Sequence, residues 1–379
     1  MRNSKIYKYL IFTFIISSLF GIITYISLSN RHQAIIKTKL LHTLSLVDNK
    51  WEVENIANDY KMLSPTFLID GIYKSMEGPK SSRYIQLNQS EELLWITGFD
   101  IKAVDAKTNE VISNDFICHM NVDLNDANYF GNWSLNDRIG KQYPRLTSLS
   151  NGFVSFDFPK GYGVPIKGNE YLFITSQALN HNEKSIFKKI KHLVTVKNEK
   201  NNGTQKPLMS KTVYIQLPYN KEDPFKTPLD PASNQCIPVE TKNHSYPDGN
   251  GNMLSGHWII PKGKNTYRSS ITSQLQLQLQ DSLRLHFSAI HVHPFATSIA
   301  LYNKTTKQNI FKSGISNHKD KIGLIEVAPF SSEEGIWLYK EHEYELVLEV
   351  NNTSTIDQDM MGSMFLFFYD KELESILRK

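Results

Sequence analysis

Leu283-Arg284-Leu285-His286-Phe287-Ser288-Ala289-Ile290-His291-Val292-His293 reads as a β-strand, because its apolar residues recur at every second position. Side chains alternate across a strand, so Leu283, Leu285, Phe287, Ala289, His291 and His293 are expected on one apolar face. Pro294 follows at once and ends the strand, which places His291 and His293 at the rim of a sheet. Residues two apart on a strand lie roughly 6.6–6.8 Å apart. Both imidazoles can therefore reach a single metal ion.

The same short, turn-punctuated pattern extends in both directions. Leu93–Thr97, Phe153–Phe156, Tyr171–Thr175 and His192–Val196 read as strands, with Gly161–Pro165 as a turn. After Pro218, strands are expected at His257–Ile260, Tyr267–Gln280, Ser298–Asn303, Gly323–Val327, Tyr344–Val350 and Ser363–Tyr369. Leu275–Gln280 is strictly alternating, as a strand with one buried face would be. Many short strands without helical interludes predict an all-β fold of sandwich or barrel type.

The 379 residues suffice for two domains with cores of their own. Residues 218–252 hold Pro218, Pro224, Pro228, Pro231, Pro238 and Pro247, and read as the linker between them. The division expected is 1–30 anchor, 31–83 juxtamembrane segment, 84–217 first sandwich, 218–252 linker and 253–379 second sandwich. A short helix is expected between Lys37 and Asn58.

Arg2, Lys5 and Lys8 precede an uncharged run from Tyr9 to Asn30, long enough to cross a bilayer as one helix. It exceeds the core of a cleavable signal peptide, although Ser27-Leu28-Ser29 offers small residues for cleavage. The expectation is an uncleaved single-pass anchor, N-terminus inside, with the domains outside the cytoplasm. A net charge of +4, with only the Lys188–Lys191 cluster, argues against nucleic-acid binding. There is no phosphate-binding glycine loop. Cys118 and Cys236 are the two cysteines, enough for at most one bridge.

His-x-His alone is a weak motif: 12 histidines in 379 residues give about a third of one such pair by chance. Pro294–Ser298 supplies no carboxylate, so a two-His, one-carboxylate plan for zinc or non-haem iron is less attractive.

The wider context resembles the catalytic-copper domain of the copper type II, ascorbate-dependent monooxygenases, the peptidylglycine α-hydroxylating and dopamine β-monooxygenase group. Trp258–Lys264 resembles that domain's opening strand and turn, His291-Val292-His293 its His-x-His ligands, and Asp357–Gly362 its acidic-Met segment. The resemblance implies copper at His291, His293 and Met360, with Met361 the competing thioether, and two jelly-roll-like sandwiches flanking a cleft. A soft thioether favours Cu(I), the state that meets O₂.

Asp115–Met120 resembles the family's His-His-Met triplet, with Cys118 in place of the first His and His119 retained. Tyr171–Leu179 resembles the strand that carries the third His, but Leu179 stands there and His181 follows. This implies a second site at Cys118, His119 and His181. Ala289, Gly362 and Met364 replace the family's peptide-gripping residues, so a C-terminal-glycine peptide is not the expected substrate. Three functions follow as alternatives. One is a copper monooxygenase acting with an electron donor on an unidentified small molecule or peptide. Another is a non-enzymatic copper-binding or interaction module. The last is a metal-free sandwich serving adhesion or carbohydrate binding.

Overall fold

A computed structural model describes residues 2–56, 59–141, 144–219, 245–247, 253–274 and 276–378. Most of the expected linker, including Cys236, lies outside the described residues.

Helix α1 (Arg2–Ser27) leads through Ser29 into α2 (Asn30–Thr43). Strands β1 (Glu52–Ile56), β2 (Asp59–Leu63), β3 (Phe67–Ile69), β4 (Lys80–Gln86), β5 (Leu93–Asp105) and β6 (Ile117–Leu124) follow. After α3 (Asp126–Asn132) come β7 (Arg145–Ser150), β8 (Ser155–Asp157), β9 (Tyr162–Lys167), β10 (Tyr171–Ala178), β11 (Lys188–Lys200) and β12 (Lys206–Tyr214). The second half begins with β13 (Leu217–Tyr219), β14 (Ser245–Pro247), β15 (Met253–Ser255), β16 (Trp258–Ile260) and β17 (Gly263–Ser270). It continues with β18 (Leu283–Val292), β19 (Ala296–Asn303), β20 (Gln308–Asn317), β21 (Leu324–Val327) and β22 (Phe330–Leu338). The last elements are β23 (Tyr344–Asn352), β24 (Gln358–Met360), β25 (Gly362–Tyr369) and α4 (Lys371–Leu377).

These strands form two antiparallel, jelly-roll-like sandwiches. In the first, β1-β2-β11-β5-β9 faces β4-β10-β6-β7, and His192 of β11 reaches across to Ser176 of β10. In the second, β12-β25-β18-β22, which continues the same hydrogen-bonded sheet beyond β9 through a short parallel pairing at Lys206 and Pro207, faces β17-β23-β19-β20-β21. A Cβ on Gly362 of β25 would stand 3.4 Å from Leu348 of β23, which fixes that side of β25 as the interior. The opposite side of β25 and β18 meets β7 of the first sandwich. Phe287 and Phe367 pack there on Phe158, and the Arg145 guanidinium lies 5.9 Å from the Phe365 ring centre. Strand β18 is therefore a middle layer, and every residue from Leu285 to Val292 is buried, as expected of a strand covered on both faces.

Several expectations are corrected. His286 is an extra residue: Leu285 pairs with Phe368 while Phe287 pairs with Phe367. Such a bulge reverses the alternation. Leu283 and Leu285 thus point into their own sandwich, whereas Phe287, Ala289 and His291 face the first one. Gly161–Pro165 is a turn only at Gly161 (φ +81°); Tyr162–Lys167 is strand β9. Lys206–Tyr214, assigned from sequence to the first sandwich, pairs with β9 there at Lys206 and Pro207 and with β25 of the second along most of its length. Glu52–Gln86 is not merely juxtamembrane, since it supplies β1–β4. The helix expected between Lys37 and Asn58 is α2, ending at Thr43.

The alternating 276–280 segment is not a strand. Gln276 accepts from the Tyr214 amide (2.6 Å) and donates to the Tyr214 carbonyl (3.1 Å) through its side chain. Its carboxamide thus occupies the backbone groups a neighbouring strand would use.

The apolar stretch Tyr7–Ser27 of α1 is the one helix among the described residues long and apolar enough to cross a membrane, and none of its most apolar window is buried. The helix break is tied down locally: Gln33 Nε2 donates to the carbonyls of Leu28 (2.9 Å) and Ile26 (3.2 Å).

Candidate metal centre

Three strands bring buried polar groups to one point beside the seam between the sandwiches. His257 precedes β16, with its backbone held by the Ser255 hydroxyl, which accepts from His257 N–H at 3.1 Å. His293 follows β18 and opens a reverse turn in which Pro294 is succeeded by Phe295 at φ +75°. Proline then a positive-φ residue is the pattern of a type II turn, and a phenylalanine there is strained. Asn317 Oδ1 accepts from Phe295 N–H at 2.7 Å and holds that turn. Asp359 sits on β24, paired with Ile259 of β16. Asn352 Nδ2 ties β16 to the approach of β24 by donating to the Ile260 and Ile356 carbonyls.

His257, His293 and Asp359 each offer a ligand atom, all within 4.8 Å of one another, and all three residues are buried. Asp359 Oδ2 lies 2.7 Å from His293 Nδ1 and 3.3 Å from His257 Nε2. The first contact is the shorter, yet His293 Nδ1 has no hydrogen-bond partner among the described residues. Two donors about 2.0–2.1 Å from a tetrahedral ion stand roughly 3.3 Å apart. The His257–Asp359 separation already matches, and the His293–Asp359 pair needs to open by a few tenths of an ångström. Burial pushes the Asp359 carboxyl up, but the imidazoles of His293 and His257 outweigh it and hold the group well below the usual range. The carboxylate is thus ready to ligate at neutral pH.

The sequence-identified residues divide accordingly. His291 and His293 share the seam side, with ring centres 5.5 Å apart and perpendicular planes. Met360 is fully buried in the apolar core, opposite Trp258. Adjacent residues on a strand face opposite ways, so Asp359 at the imidazoles puts Met360 on the other side, with Gly362 and Met364. By the same parity Met361 goes with Ser363, the partner of His291, toward the seam. Met361 is also absent from the apolar core cluster that includes Met360. The two-His, one-carboxylate plan, set aside on sequence for want of a nearby acid, is the arrangement that converges; the acid comes from β24.

Cys118 and His119 lie on β6, where the first sandwich meets this seam. Cys118 Sγ is 3.4 Å from His119 Nδ1, and the ring centres of His119 and His291 are 6.3 Å apart. Burial raises the Cys118 thiol to about 12 and lowers His291 to about 3, the latter helped by His293. His181 stands one step away, its Nε2 3.5 Å from Ser75 Oγ, and burial lowers it to about 4. His257 was missed from sequence, although it directly precedes the Trp258–Lys264 segment.

No family model matches the chain, and no curated protein matches it. Among solved structures it is similar to the major capsid protein P2 of bacteriophage PM2, at 10% identity over 82% of this chain and 99% of that one, with TM-score 0.31. It is also similar to a peptide-N(4)-(N-acetyl-β-D-glucosaminyl)asparagine amidase, at 9% identity over 80% and 96%, with TM-score 0.30. Likenesses this distant say nothing about function.

Proposed function

We propose that the chain is a membrane-anchored metal-binding protein that holds a divalent transition metal at His257, His293 and Asp359. The carrying observation is the convergence of three buried ligand atoms within 4.8 Å from three separate strands. Two imidazoles and one carboxylate suit borderline cations such as Zn(II), Fe(II) or Cu(II). The neighbouring cavity, lined by His291, His293 and Cys118, has a volume of about 20 Å³. That is space for one water molecule or one ion, not for an organic substrate. Binding is therefore the primary reading, with the metal clamping β16, β18 and β24 together.

Copper-dependent monooxygenation is the second reading. It is favoured by the His291/His293 pair facing the seam and by the buried His291 Nδ1, which has no hydrogen-bond partner among the described residues. It requires the sandwiches to part so that substrate and an electron donor can approach. In either reading α1 spans the membrane and the sandwiches lie outside the cytoplasm. The test is the metal count per chain of the detergent-solubilised protein after loading with Zn(II) or Cu(II) and removal of excess. One tightly held equivalent that falls away in His257→Ala supports the proposal; an unchanged count in that variant overturns it.

A further inference from the structure

We infer that the large cleft at the far end of β12, β18 and β25 binds a small organic carboxylate, with Lys211 as the cation that takes its charge. The cleft stands apart from the metal centre. It is lined by Leu283 at the start of β18, whereas Val292 and His293 lie at the other end. Nine residues of strand separate those ends by roughly 30 Å. The cleft has a volume of about 870 Å³, within the range of sites for drug-sized molecules.

First comes the direction of Lys211. Along β12, Met209 pairs with Phe368 and Lys211 with Leu366 of β25, while Phe368 also pairs with Leu285 of β18. Directly paired residues share a face, so Met209 and Lys211 take the side on which Leu283 and Leu285 point into the second sandwich. A lysine thus occupies a position where the pattern calls for an apolar side chain. Lys211 is half-buried, and its ammonium donates to the Gln278 carbonyl at 3.3 Å. No carboxylate among the described residues forms an ion pair with it. Burial, and after it the charge of Arg138, lower its pKa. A desolvated cation without a counter-ion is unfavourable, and a bound anion removes that penalty.

The second observation concerns the remaining charges. Arg138 is already committed, donating to Asp370 (3.0 Å) and Glu372 (2.6 Å). At the exposed rim Lys141 and Lys371 stand against Asp137 and Asp281 and add no net charge. One positive charge is therefore left unmatched, at Lys211. A carboxylate balances it, whereas a phosphate dianion would bring a second negative charge with no partner.

The third is the wall made by residues 276–280. This segment keeps the division of faces of a strand without being one. Leu277 is buried and Leu279 packs on the core, while Gln278 and Gln280 line the cleft. Their carboxamides are N–H donors for the carboxylate oxygen that Lys211 does not hold. Met209 and Leu283, partly buried against the core, offer an apolar floor for the carbon body of the ligand. The alternation legible in the sequence thus builds a binding wall and not a sheet.

The experiment uses the full chain in detergent. Its lysines are acetylated and followed peptide by peptide by mass spectrometry, with benzoate and hexanoate as probes. Benzamide, the neutral counterpart of benzoate, and inorganic phosphate are the controls. A carboxylate at ten times its dissociation constant leaves about one cleft in eleven empty, so acetylation of Lys211 should slow about tenfold. Acetylation of the exposed Lys141 and Lys371 should not change. Lys211→Met keeps the aliphatic stem and removes the unmatched charge. It should fold with an unchanged or raised melting midpoint and lose the carboxylate-dependent rise shown by the unaltered chain. A lysine that served only to hold the 276–280 segment would instead lower the midpoint when replaced. Failure of both carboxylates to protect Lys211, equal protection by benzamide or phosphate, or a carboxylate-dependent rise retained in Lys211→Met overturns the inference.

Discussion

Asp359→Asn separates the carboxylate from the thioether as the group that completes the site. The substitution keeps the shape of the side chain while removing the charge from between His293 (2.7 Å) and His257 (3.3 Å). In the metal-free protein the loss of a charged, buried partner is expected to cost about 2 kcal/mol. For a domain of 150–250 residues each kcal/mol moves the melting midpoint by about 2–4 °C, so the metal-free midpoint should fall by roughly 4–8 °C. Metal at a hundred times its dissociation constant stabilises the folded state by about 2.7 kcal/mol. The unaltered protein should therefore gain roughly 5–11 °C on loading with Zn(II), and Asp359→Asn should gain almost nothing. Met360→Leu preserves volume in the apolar core, costs less than about 1.5 kcal/mol and should keep the metal-dependent rise. Thermal melts of the solubilised full chain, after chelation and after Zn(II) loading, read all three. A full rise in Asp359→Asn, or none in Met360→Leu, refutes the carboxylate reading.

Arg138 and Asp370 are both nearly buried, paired at 2.5 Å, and Asp370 also caps α4 by accepting from Leu373 N–H. Arg138 also donates to Glu372 Oε2 at 2.6 Å and keeps that partner, so Asp370→Ala should cost about 1.5–3 kcal/mol for the lost charged hydrogen bonds plus about 1 kcal/mol for the lost cap, measured by denaturant unfolding. Asp370→Asn should recover roughly the cap alone. His192 is held neutral by burial, lowered to about 4 despite its bond to the Phe116 carbonyl. Its unfolded value is about 6.5, so the unfolded chain takes up the proton first. This contribution is complete above pH 6.5 and is lost as pH falls toward 4, by about 3 kcal/mol. His192→Gln should flatten that part of the stability–pH profile; an equally steep profile would show that other groups dominate. Mass spectrometry of the mature protein should find α1 intact, whereas a chain starting near Asn30 would exclude the anchor.

Alternation identified most of the strands because each truly buries one or both faces, as in Tyr344–Asn352 and Gly362–Tyr369. It failed where burial is decided by something other than period two. Leu277 is buried without being in a strand, and the Gln276 carboxamide beside it satisfies Tyr214 from a loop. Conversely Lys80–Gln86 is a real strand with mostly exposed positions, held by pairing along β10. Charged and polar residues at an outer strand leave no apolar stripe to read. The bulges at His286 and Cys118 are equally invisible, since an unpaired residue is a property of two strands and not of one.

That last point explains which part of the metal centre was legible. His291 and His293 are two positions apart on one side of their bulge, so their common side followed from local geometry alone. The choice between Asp359 and Met360 depends instead on the parity of β24 and β25 against β18. The register that settles it pairs Val292 with Gly362, and Gly362 with the interior beside Leu348. One residue of parity turns the Asp359 carboxylate, and not the Met360 thioether, toward the imidazoles. The same rule operates on β6 in reverse. There a single extra residue leaves Cys118 Sγ 3.4 Å from His119 Nδ1. Which side chains meet at the seam is thus decided by one-residue differences in strand parity and pairing. Equivalent donors in the sequence, a methionine at 360 and a cysteine at 118, end in an apolar core and beside an imidazole respectively.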